Sequence, residues 1–179
     1  MFTSDNGPLY DHLGGTGTEF FNSAAGFRGR KGSYYEGGFR VPCLVRWKGQ
    51  ITPRAISNRV TGFEDWLPTL LGRRQEPRPF LYRESPGYGG QQCVRVGDWK
   101  LVRQNLNPAP GPKATPPPTL ELYDLAQDRS ETTEVAPGHP EVVARLIQIA
   151  REQHVKSELW PIRLLDAAQP EAGATGEAK

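Results

Sequence analysis

The segment from residue 2 to residue 42 constrains the fold more than any other, because it opens with a strand that stops abruptly. Phe2 and Thr3 are predicted to be the last residues of a short β-strand. The residues that follow, SDNGP, either bond their own backbone or prevent further pairing. In open α/β sheets, ligands collect outside the carboxyl ends of the strands. The sequence therefore predicts a carboxylate, Asp5, and an amide oxygen, Asn6, side by side at such an edge.

These two side chains suit a particular class of metal ion. A carboxylate and an amide carbonyl are hard oxygen donors, which favour Ca²⁺ or Mg²⁺ over zinc or copper. Such an ion binds six or more oxygens, so other segments must supply further ligands. Asp-Asn-Gly-Pro is also a favourable turn in its own right, and this alternative stays open.

The far end of the same segment is basic and rich in glycine. RGRKG, residues 28–32, places cationic side chains between glycines, so that little bulk obstructs an anion. The ammonium of Lys31 is a compact charge that can meet a tetrahedral oxyanion. The paired Gly37 and Gly38 predict backbone angles closed to other residues. FRVPCLVRW, residues 39–47, predicts a strand with Pro42 at an edge or bulge. Taken alone, the basic cluster also fits a solvated loop.

The order of the motifs is specific. FTSDNGP, then GG, then FFNS, then RGRKGSYYEGGFRVP resembles the sulfatase family, the sulfuric ester hydrolases of the alkaline-phosphatase-like superfamily. The resemblance implies that Asp5 and Asn6 supply calcium ligands and that Lys31 contacts the sulfate group. Glu36 and Arg40 match family positions that look architectural, and we expect them to satisfy each other or nearby backbone groups.

The long loop between these motifs, residues 9–27, borders the substrate pocket according to the same resemblance. Loops of this length inside compact domains are usually functional or disordered. His12 is a candidate for contact with the substrate or its leaving group, and a solvated loop histidine is the alternative. The implied substrate is a sulfated small molecule or glycan.

The nucleophile of the family is missing. Members carry an early C/S-x-P-x-R motif whose Cys or Ser becomes formylglycine, and neither Cys43 nor Cys93 lies in such a motif. No serine fits either, since Ser85 has its proline in the wrong place. We interpret the chain as the C-terminal portion of a sulfatase. Its partner would be the missing N-terminal part of the same domain, where formylglycine and further calcium ligands are expected.

Local patterns in the rest of the chain predict a small antiparallel sheet covered by a helix. CVRV and WKLV flank Gly97-Asp98, which is typical of a β-hairpin with a two-residue turn. LELYDL, residues 120–125, predicts a further strand. Residues 140–154 carry an apolar stripe at helical spacing, with proline in the first turn. Residues 58–71, which include the DWLPTLL segment, predict a short helix with an apolar face.

The predicted fold class is α/β overall and α+β within this chain. Residues 1–78 are assigned to the C-terminal part of the catalytic α/β domain of an alkaline-phosphatase-like sulfatase. Residues 79–166 are assigned to a small subdomain of antiparallel sheet plus helix, and residues 167–179 to a disordered tail.

Composition excludes several other classes. The net charge is +2 and no basic block is present, so no nucleic-acid partner is expected. No apolar run approaches the ~18 residues of a membrane span. Two cysteines without C-x-x-C spacing indicate neither a zinc site nor a disulfide framework, and Cys43 is expected in the core. A periplasmic or secreted location would depend on a signal peptide in the full-length protein.

Two alternatives to a sulfatase stay open. A phosphatase or phosphonate hydrolase of the same superfamily would use a metal and a tetrahedral oxyanion in the same way. A non-catalytic remnant that binds calcium or an anion is favoured by the missing nucleophile. It is also favoured by the connection at residues 73–78, which is shorter than family members usually have.

Because the nucleophile motif is absent, we expect the isolated chain not to hydrolyse sulfate esters. The measurement is release of the alcohol from an aryl sulfate by the purified protein. Turnover that persists after contaminating enzymes have been excluded would contradict this expectation.

Overall fold

The computed structural model describes residues 1–10, 19–108 and 116–168. The strands are β1 (Phe2–Thr3), β2 (Cys43–Leu44), β3 (Leu81–Ser85), β4 (Gln91–Val96), β5 (Trp99–Gln104) and β6 (Thr119–Asp124). The helices are α1 (Glu36–Phe39), α2 (Trp66–Leu70), α3 (Pro140–Gln153) and α4 (Arg163–Asp166), with single 3₁₀ turns at Phe63–Asp65 and Ala136–Gly138. This mixture of helices and antiparallel strands agrees with the predicted fold class.

The centre of the structure is a four-stranded antiparallel sheet in the order β3-β4-β5-β6. The predicted hairpin is confirmed, since β4 and β5 pair on either side of Gly97-Asp98. The register aligns Val94 with Leu101 and Leu101 with Leu122, so these three apolar side chains form one row across the sheet. Because side chains alternate along a strand, the adjacent residues Cys93 and Val102 point to the opposite face of the sheet.

Helix α3 covers the face that carries this row. Val142, Leu146 and Ala150 are buried on one side of the helix and pack against the row. Their spacing of four residues keeps them on a single face. Full burial of a side chain such as that of Val142 or Leu146 contributes about 1.5–3 kcal/mol, and burial of the Ala150 methyl group contributes less. The predicted amphipathic helix is therefore confirmed, with its stripe against the sheet.

The end of α3 is fastened to two other elements by a buried histidine. The Nδ1 atom of His154 lies 2.8 Å from a carboxylate oxygen of Glu84 in β3. Its Nε2 atom lies 3.1 Å from a carboxylate oxygen of Asp166 in α4. Helix α4 in turn packs Leu165 against Leu106. The C-terminal segment is thereby held along the sheet.

The opposite face of the sheet is covered by the basic, glycine-rich segment rather than by a long helix. Tyr35 packs against Cys93 and Val102 of the central strands and against Tyr123 and Leu125. Tyr35, from the region assigned to the catalytic domain (residues 1–78), thus shares one core with strands of the region assigned to the small subdomain (residues 79–166). The segment that contains Lys31 is supported by this packing.

A buried ion cluster lies at the same interface. Lys100 of β5 is fully buried, with its Nζ atom 3.0 Å from Oε1 of Glu36 and 2.9 Å from Oε1 of Glu131. Glu131 also accepts a hydrogen bond of 2.6 Å from the backbone N–H of Glu36. The ammonium lies 4.6 Å from the centre of the Phe39 ring. Ion pairs therefore join helix α1 to the sheet and to the segment after β6.

The two carboxyl groups of the cluster differ in their environment. Burial by itself raises the pKa of Glu36, but Lys100 and Arg40 outweigh it, so the pKa is lowered below the ordinary value. Burial raises the pKa of Glu131, and the attraction of Lys100 offsets this only in part. Nε of Arg40 forms an ion pair with Oε2 of Glu36, as expected from the sequence. Nη1 of Arg95 lies 3.7 Å from the same oxygen. These arginines supply the positive charge that a second carboxylate requires.

The paired glycines do not have the backbone angles that the sequence predicted. Gly37 and Gly38 lie inside helix α1 and do not adopt the left-handed conformation. They are needed for close approach instead. A Cβ atom on Gly37 would lie 2.4 Å from the carbonyl oxygen of Gly29, and one on Gly38 would lie 2.0 Å from that of Ser33.

The strand predicted for residues 39–47 is much shorter in the structure. Only Cys43 and Leu44 are paired, and their partner is β1. The prediction that Cys43 is a core residue is wrong, because its side chain is exposed, as are those of Phe2 and Leu44. A pair of two-residue strands buries little unless another layer covers it, and no element of the described chain does so here.

The helix predicted within residues 58–71 is present but short. It comprises the 3₁₀ turn and α2, and it is anchored by Asp65, whose carboxylate accepts hydrogen bonds from Arg78 and from the N–H of Gly62. Its apolar face is not covered within the described chain, since Leu67 and Leu70 are exposed.

No helix in the described ranges is long and apolar enough to cross a membrane. Only the first two residues of the tail at 167–179 are described. The boundaries assigned at residues 78 and 166 stay predictions.

Replacing Lys100 by Met tests the ion cluster. The change leaves Glu36 and Glu131 buried without their shared ammonium, and breaking a buried pair in this way costs about 3–5 kcal/mol. The measurement is the free energy of unfolding in urea. Lys48→Met, at an exposed lysine, is the control and should change it by less than about 0.5 kcal/mol. Equal effects of the two changes would contradict the assigned role of the cluster.

Candidate functional site

The predicted metal ligands follow β1 directly, in a turn with its own hydrogen bonds. Oγ of Ser4 donates to the carbonyl of Asn6 at 2.8 Å, and Nδ2 of Asn6 donates to the carbonyl of Gly7 at 2.9 Å. Gly7 then donates through its N–H to the carbonyl of Gly38 at 2.7 Å. The turn is therefore fastened to helix α1 immediately after the Asp-Asn pair.

The predicted anion ligand, Lys31, lies in a second turn. Ser33 closes this turn by donating from its N–H to the carbonyl of Arg30 at 3.0 Å, while its hydroxyl bonds the same carbonyl. The N–H of Lys31 donates to the carbonyl of Pro8 at 2.9 Å. The Lys31 side chain itself is exposed. Its backbone is thus fixed while its ammonium stays open to an anion.

The two turns lie side by side because their backbones approach very closely. Gly7 is buried, and a Cβ atom built on it would lie 1.8 Å from the carbonyl oxygen of Gly37. Only glycine permits this contact. Together with the Lys31–Pro8 bond, it brings the segment of Asp5 and Asn6 next to the segment of Lys31.

A stacked arginine fastens the Lys31 segment to the sheet. The guanidinium of Arg28 lies 3.9 Å from the centre of the Tyr35 ring and donates to the hydroxyl of Tyr123 at 2.5 Å. It also donates to the carbonyl of Glu131 at 3.0 Å. Burial and the nearby Glu121 carboxylate raise the pKa of Tyr35, so its hydroxyl stays protonated and donates to Glu121 at 2.7 Å. Arg28 is therefore a structural residue rather than a free anion ligand.

The tip of the β3–β4 hairpin reaches the other side of the Lys31 turn. Nε2 of Gln91 donates to the carbonyl of Gly32 at 2.7 Å. The ring of Tyr88 lies over Gly32, since a Cβ atom on Gly32 would be 2.5 Å from its Cζ atom. Neither Gln91 nor Tyr88 was predicted from the sequence to contact this turn. The run PGYGG marks a turn, but nothing in it identifies a partner more than fifty residues away in the chain.

The chemistry of the Asp-Asn pair fits a hard cation in part. The carboxylate of Asp5 is exposed and has no hydrogen-bond or ion-pair partner within the described residues. The amide nitrogen of Asn6 donates to the carbonyl of Gly7, which leaves the side-chain oxygen available to bind a cation. Within the same residues, no group of three or more His, Cys, Asp or Glu side chains is arranged to hold a metal. The pair by itself therefore offers at most two of the oxygens that such an ion requires.

His12 and Cys93 are the other two residues whose side chains could take part in the chemistry. His12 lies outside the described residues, so its role stays a prediction. Cys93 is buried under the Lys31 segment, and burial raises the pKa of its thiol to about 11. A thiol of this kind remains protonated at neutral pH and is not a nucleophile.

Comparison with known proteins identifies what the chain is similar to. The model of the family described as Sulfatase matches residues 1–74. The chain is 44% identical to steryl-sulfatase of Mus musculus, in a match covering 91% of this chain and 34% of that protein. It is 29% identical to N-acetylgalactosamine-6-O-sulfatase of Bacteroides thetaiotaomicron, with 83% and 35% covered.

The fold has a counterpart among solved structures. It matches a Bacteroides thetaiotaomicron protein solved in connection with the metabolism of multiple glycosaminoglycans, with a TM-score of 0.58 and 26% identity. This match covers 84% of the present chain and 37% of the other. The chain thus spans about a third of the length of the relatives that it matches.

Replacing Gly7 by Ala tests the contact between the two turns. The added methyl group overlaps the carbonyl of Gly37, and we expect the free energy of unfolding to fall by about 1–3 kcal/mol. Urea denaturation measures this. Gly138→Ala is the matched control, because a Cβ atom there meets nothing within 4 Å. If Gly7→Ala is tolerated as well as Gly138→Ala, the close approach of the two turns is wrong.

Proposed function

This chain belongs to the sulfatase family, and on that premise we propose that it supplies the sulfate-binding lysine and two calcium ligands of a sulfate ester hydrolase. The observation that carries the proposal is the joining of two turns by backbone contacts. One turn carries Lys31 with its side chain exposed, and the other carries Asp5 and Asn6.

Lys31 is the residue that binds the sulfate group in this proposal. Its ammonium meets a sulfate oxygen as a point charge, which requires no fixed fork geometry. The bonds of this turn to Pro8 and Ser33 hold the backbone from which the Lys31 side chain extends, and its flexible stem lets the ammonium reach the anion. A positive charge in contact with the sulfate stabilises negative charge that develops on its oxygens during transfer.

Asp5 and Asn6 are the proposed calcium ligands. Both offer oxygen, and the Asp5 carboxylate has no hydrogen-bond or ion-pair partner within the described chain, so it is available to an ion. A bound Ca²⁺ supplies positive charge at the reacting group. Six or more oxygens are required, so the remaining ligands come from groups other than this pair.

The nucleophile of the reaction is not assigned to a residue of this chain. None of the 179 residues lies in a C/S-x-P-x-R motif, and the buried Cys93 thiol is unsuited to the task. Formylglycine is the nucleophile that family membership implies. What the present residues contribute is binding and orientation of the sulfate group.

The substrate class follows from the relatives only in general terms. The names of the matched proteins refer to steryl sulfates and to N-acetylgalactosamine-6-O-sulfate. We assign this chain a sulfated small molecule or a glycan as its substrate. His12 is retained as a candidate contact to the leaving group.

Replacing Lys31 by Ala tests the proposed sulfate site. We expect binding of inorganic sulfate to the full chain to weaken by about tenfold or more, because a charge-assisted contact is removed. The measurement is a titration followed by the NMR shifts of the backbone amides of residue 31 and of Gly32. Lys48→Ala, at another exposed lysine, should leave binding unchanged.

Two further comparisons sharpen this test. Inorganic phosphate in place of sulfate measures preference between the two oxyanions, and tighter phosphate binding would favour a phosphatase. Addition of Ca²⁺ tests the other turn: thermal stabilisation of the wild type that is lost in Asp5→Ala would support Asp5 as a calcium ligand, whereas no stabilisation of either would show that this pair alone has too few oxygens to bind the ion. Sulfate binding that survives Lys31→Ala unchanged would contradict the proposal.

A further inference from the structure

The tip of the β3–β4 hairpin carries an aromatic residue, Tyr88, beside the proposed sulfate ligand. Its ring lies over Gly32, with Cζ, Cε1 and Cε2 all within 2.8 Å of a Cβ atom built on that glycine. Gly32 is the residue immediately after Lys31. Consecutive Cα atoms are about 3.8 Å apart, so the ring covers backbone that directly adjoins the anion ligand.

The hairpin tip is held from several sides. The N–H of Gly90 donates to the carbonyl of Gly87 at 3.0 Å and closes the turn. The carbonyl of Gly89 accepts from the N–H of Asn107 at 2.7 Å. Gln91 bonds the carbonyl of Gly32, as described above. The position of Tyr88 relative to the Lys31 turn is therefore set by bonds in both segments.

Packing does not account for the presence of tyrosine at this position. The side chain is 73% exposed, so it buries little apolar surface. Its backbone adopts φ +52°, in the left-handed region that disfavours bulky side chains. Sparsely populated backbone conformations cluster at active sites and ligand-binding sites, although other residues of this chain, such as Arg54, also adopt positive φ. Tyrosine presents a flat apolar ring with a polar tip, which suits contact with a ligand.

The chemistry of a sulfate ester matches this arrangement. The sulfur is joined to the alcohol through one bridging oxygen, so the first carbon of the alcohol lies a few ångströms from the sulfate oxygens. Because the Tyr88 ring covers Gly32, the residue next to Lys31, an alcohol attached to a sulfate at Lys31 can extend to the ring. A ring-shaped alcohol can lay its face on the exposed face of Tyr88, whereas a short acyclic alcohol offers no such surface.

We propose that Tyr88 is a specificity-determining residue that stacks against the ring of a cyclic alcohol while Lys31 binds the attached sulfate. The inference rests on the proposed function, because it uses the same sulfate position. It adds a residue that recognises the alcohol rather than the sulfate group. The aromatic face is the feature required, and the phenolic hydroxyl is secondary.

The test compares three ligands and three variants of the full chain. The ligands are inorganic sulfate, methyl sulfate and phenyl sulfate, which share the anion and differ in the alcohol. The variants are Tyr88→Asn, Tyr88→Phe and Lys31→Ala. Asn tolerates the left-handed backbone conformation, so Tyr88→Asn removes the ring without adding strain. Binding is measured by NMR titration, and folding of each variant by thermal unfolding.

The expected result is selective. Tyr88→Asn weakens phenyl sulfate binding by about tenfold and leaves inorganic sulfate and methyl sulfate within twofold of the wild type. Tyr88→Phe binds all three ligands as the wild type does, because it keeps the ring. Lys31→Ala weakens all three. Thermal stability of Tyr88→Asn stays close to that of the wild type, since the ring is largely exposed.

Other outcomes overturn the inference in distinguishable ways. If Lys31→Ala weakens binding but Tyr88→Asn leaves phenyl sulfate unaffected, Tyr88 is not a specificity residue and the proposed function stands. If Tyr88→Asn weakens all three ligands equally, the ring only supports the Lys31 turn. If the wild type binds none of the ligands, or Lys31→Ala changes nothing, the proposed function fails and this inference fails with it.

Discussion

The structure depends on one buried ammonium group. Nζ of Lys100 lies about equally close to carboxylates of Glu36 and Glu131, and all three side chains are removed from water. Removing charges from water costs several kcal/mol for each ion, so such a cluster persists only when its partners are close and fully bonded. Here the bonds join three elements: strand β5, helix α1 and the segment after β6. The cluster therefore determines where α1 sits on the sheet.

The attachment of α1 to the sheet also holds the candidate site in place. Helix α1 provides the carbonyl of Gly38 that accepts from Gly7, and the close contact of Gly7 with Gly37 aligns the turn of Asp5 and Asn6. Stacking of Arg28 on Tyr35 holds the Lys31 turn against the same face of the sheet. An exposed lysine can thus be carried on a well-anchored backbone. This combination is what positioning of a small anion requires.

Sequence patterns predicted the local elements well and the long-range contacts poorly. The hairpin around Gly97-Asp98 and helix α3 carry periodic apolar residues and turn signals, and both are confirmed. The ion pairs of Lys100 were not predicted, because its partners Glu36 and Glu131 are distant in the chain. The EGG motif was assigned unusual backbone angles when close packing was the true reason for its glycines. The site residues came from the resemblance of ordered motifs, whereas the contacts that hold them, such as Gln91 to Gly32, required the structure.

Native-state hydrogen exchange of the amides in residues 28–38 tests most directly whether the sheet holds the Lys31 segment in place. The N–H groups of Glu36 and Gly37 donate to Glu131 and to the carbonyl of Arg28, and neither is expected to open while the sheet is intact. We predict that both amides exchange with the same free energy as those of β4 and β5, through unfolding of the whole unit. Rapid exchange of these amides while β4 and β5 stay protected would show that the segment opens on its own and would contradict the account.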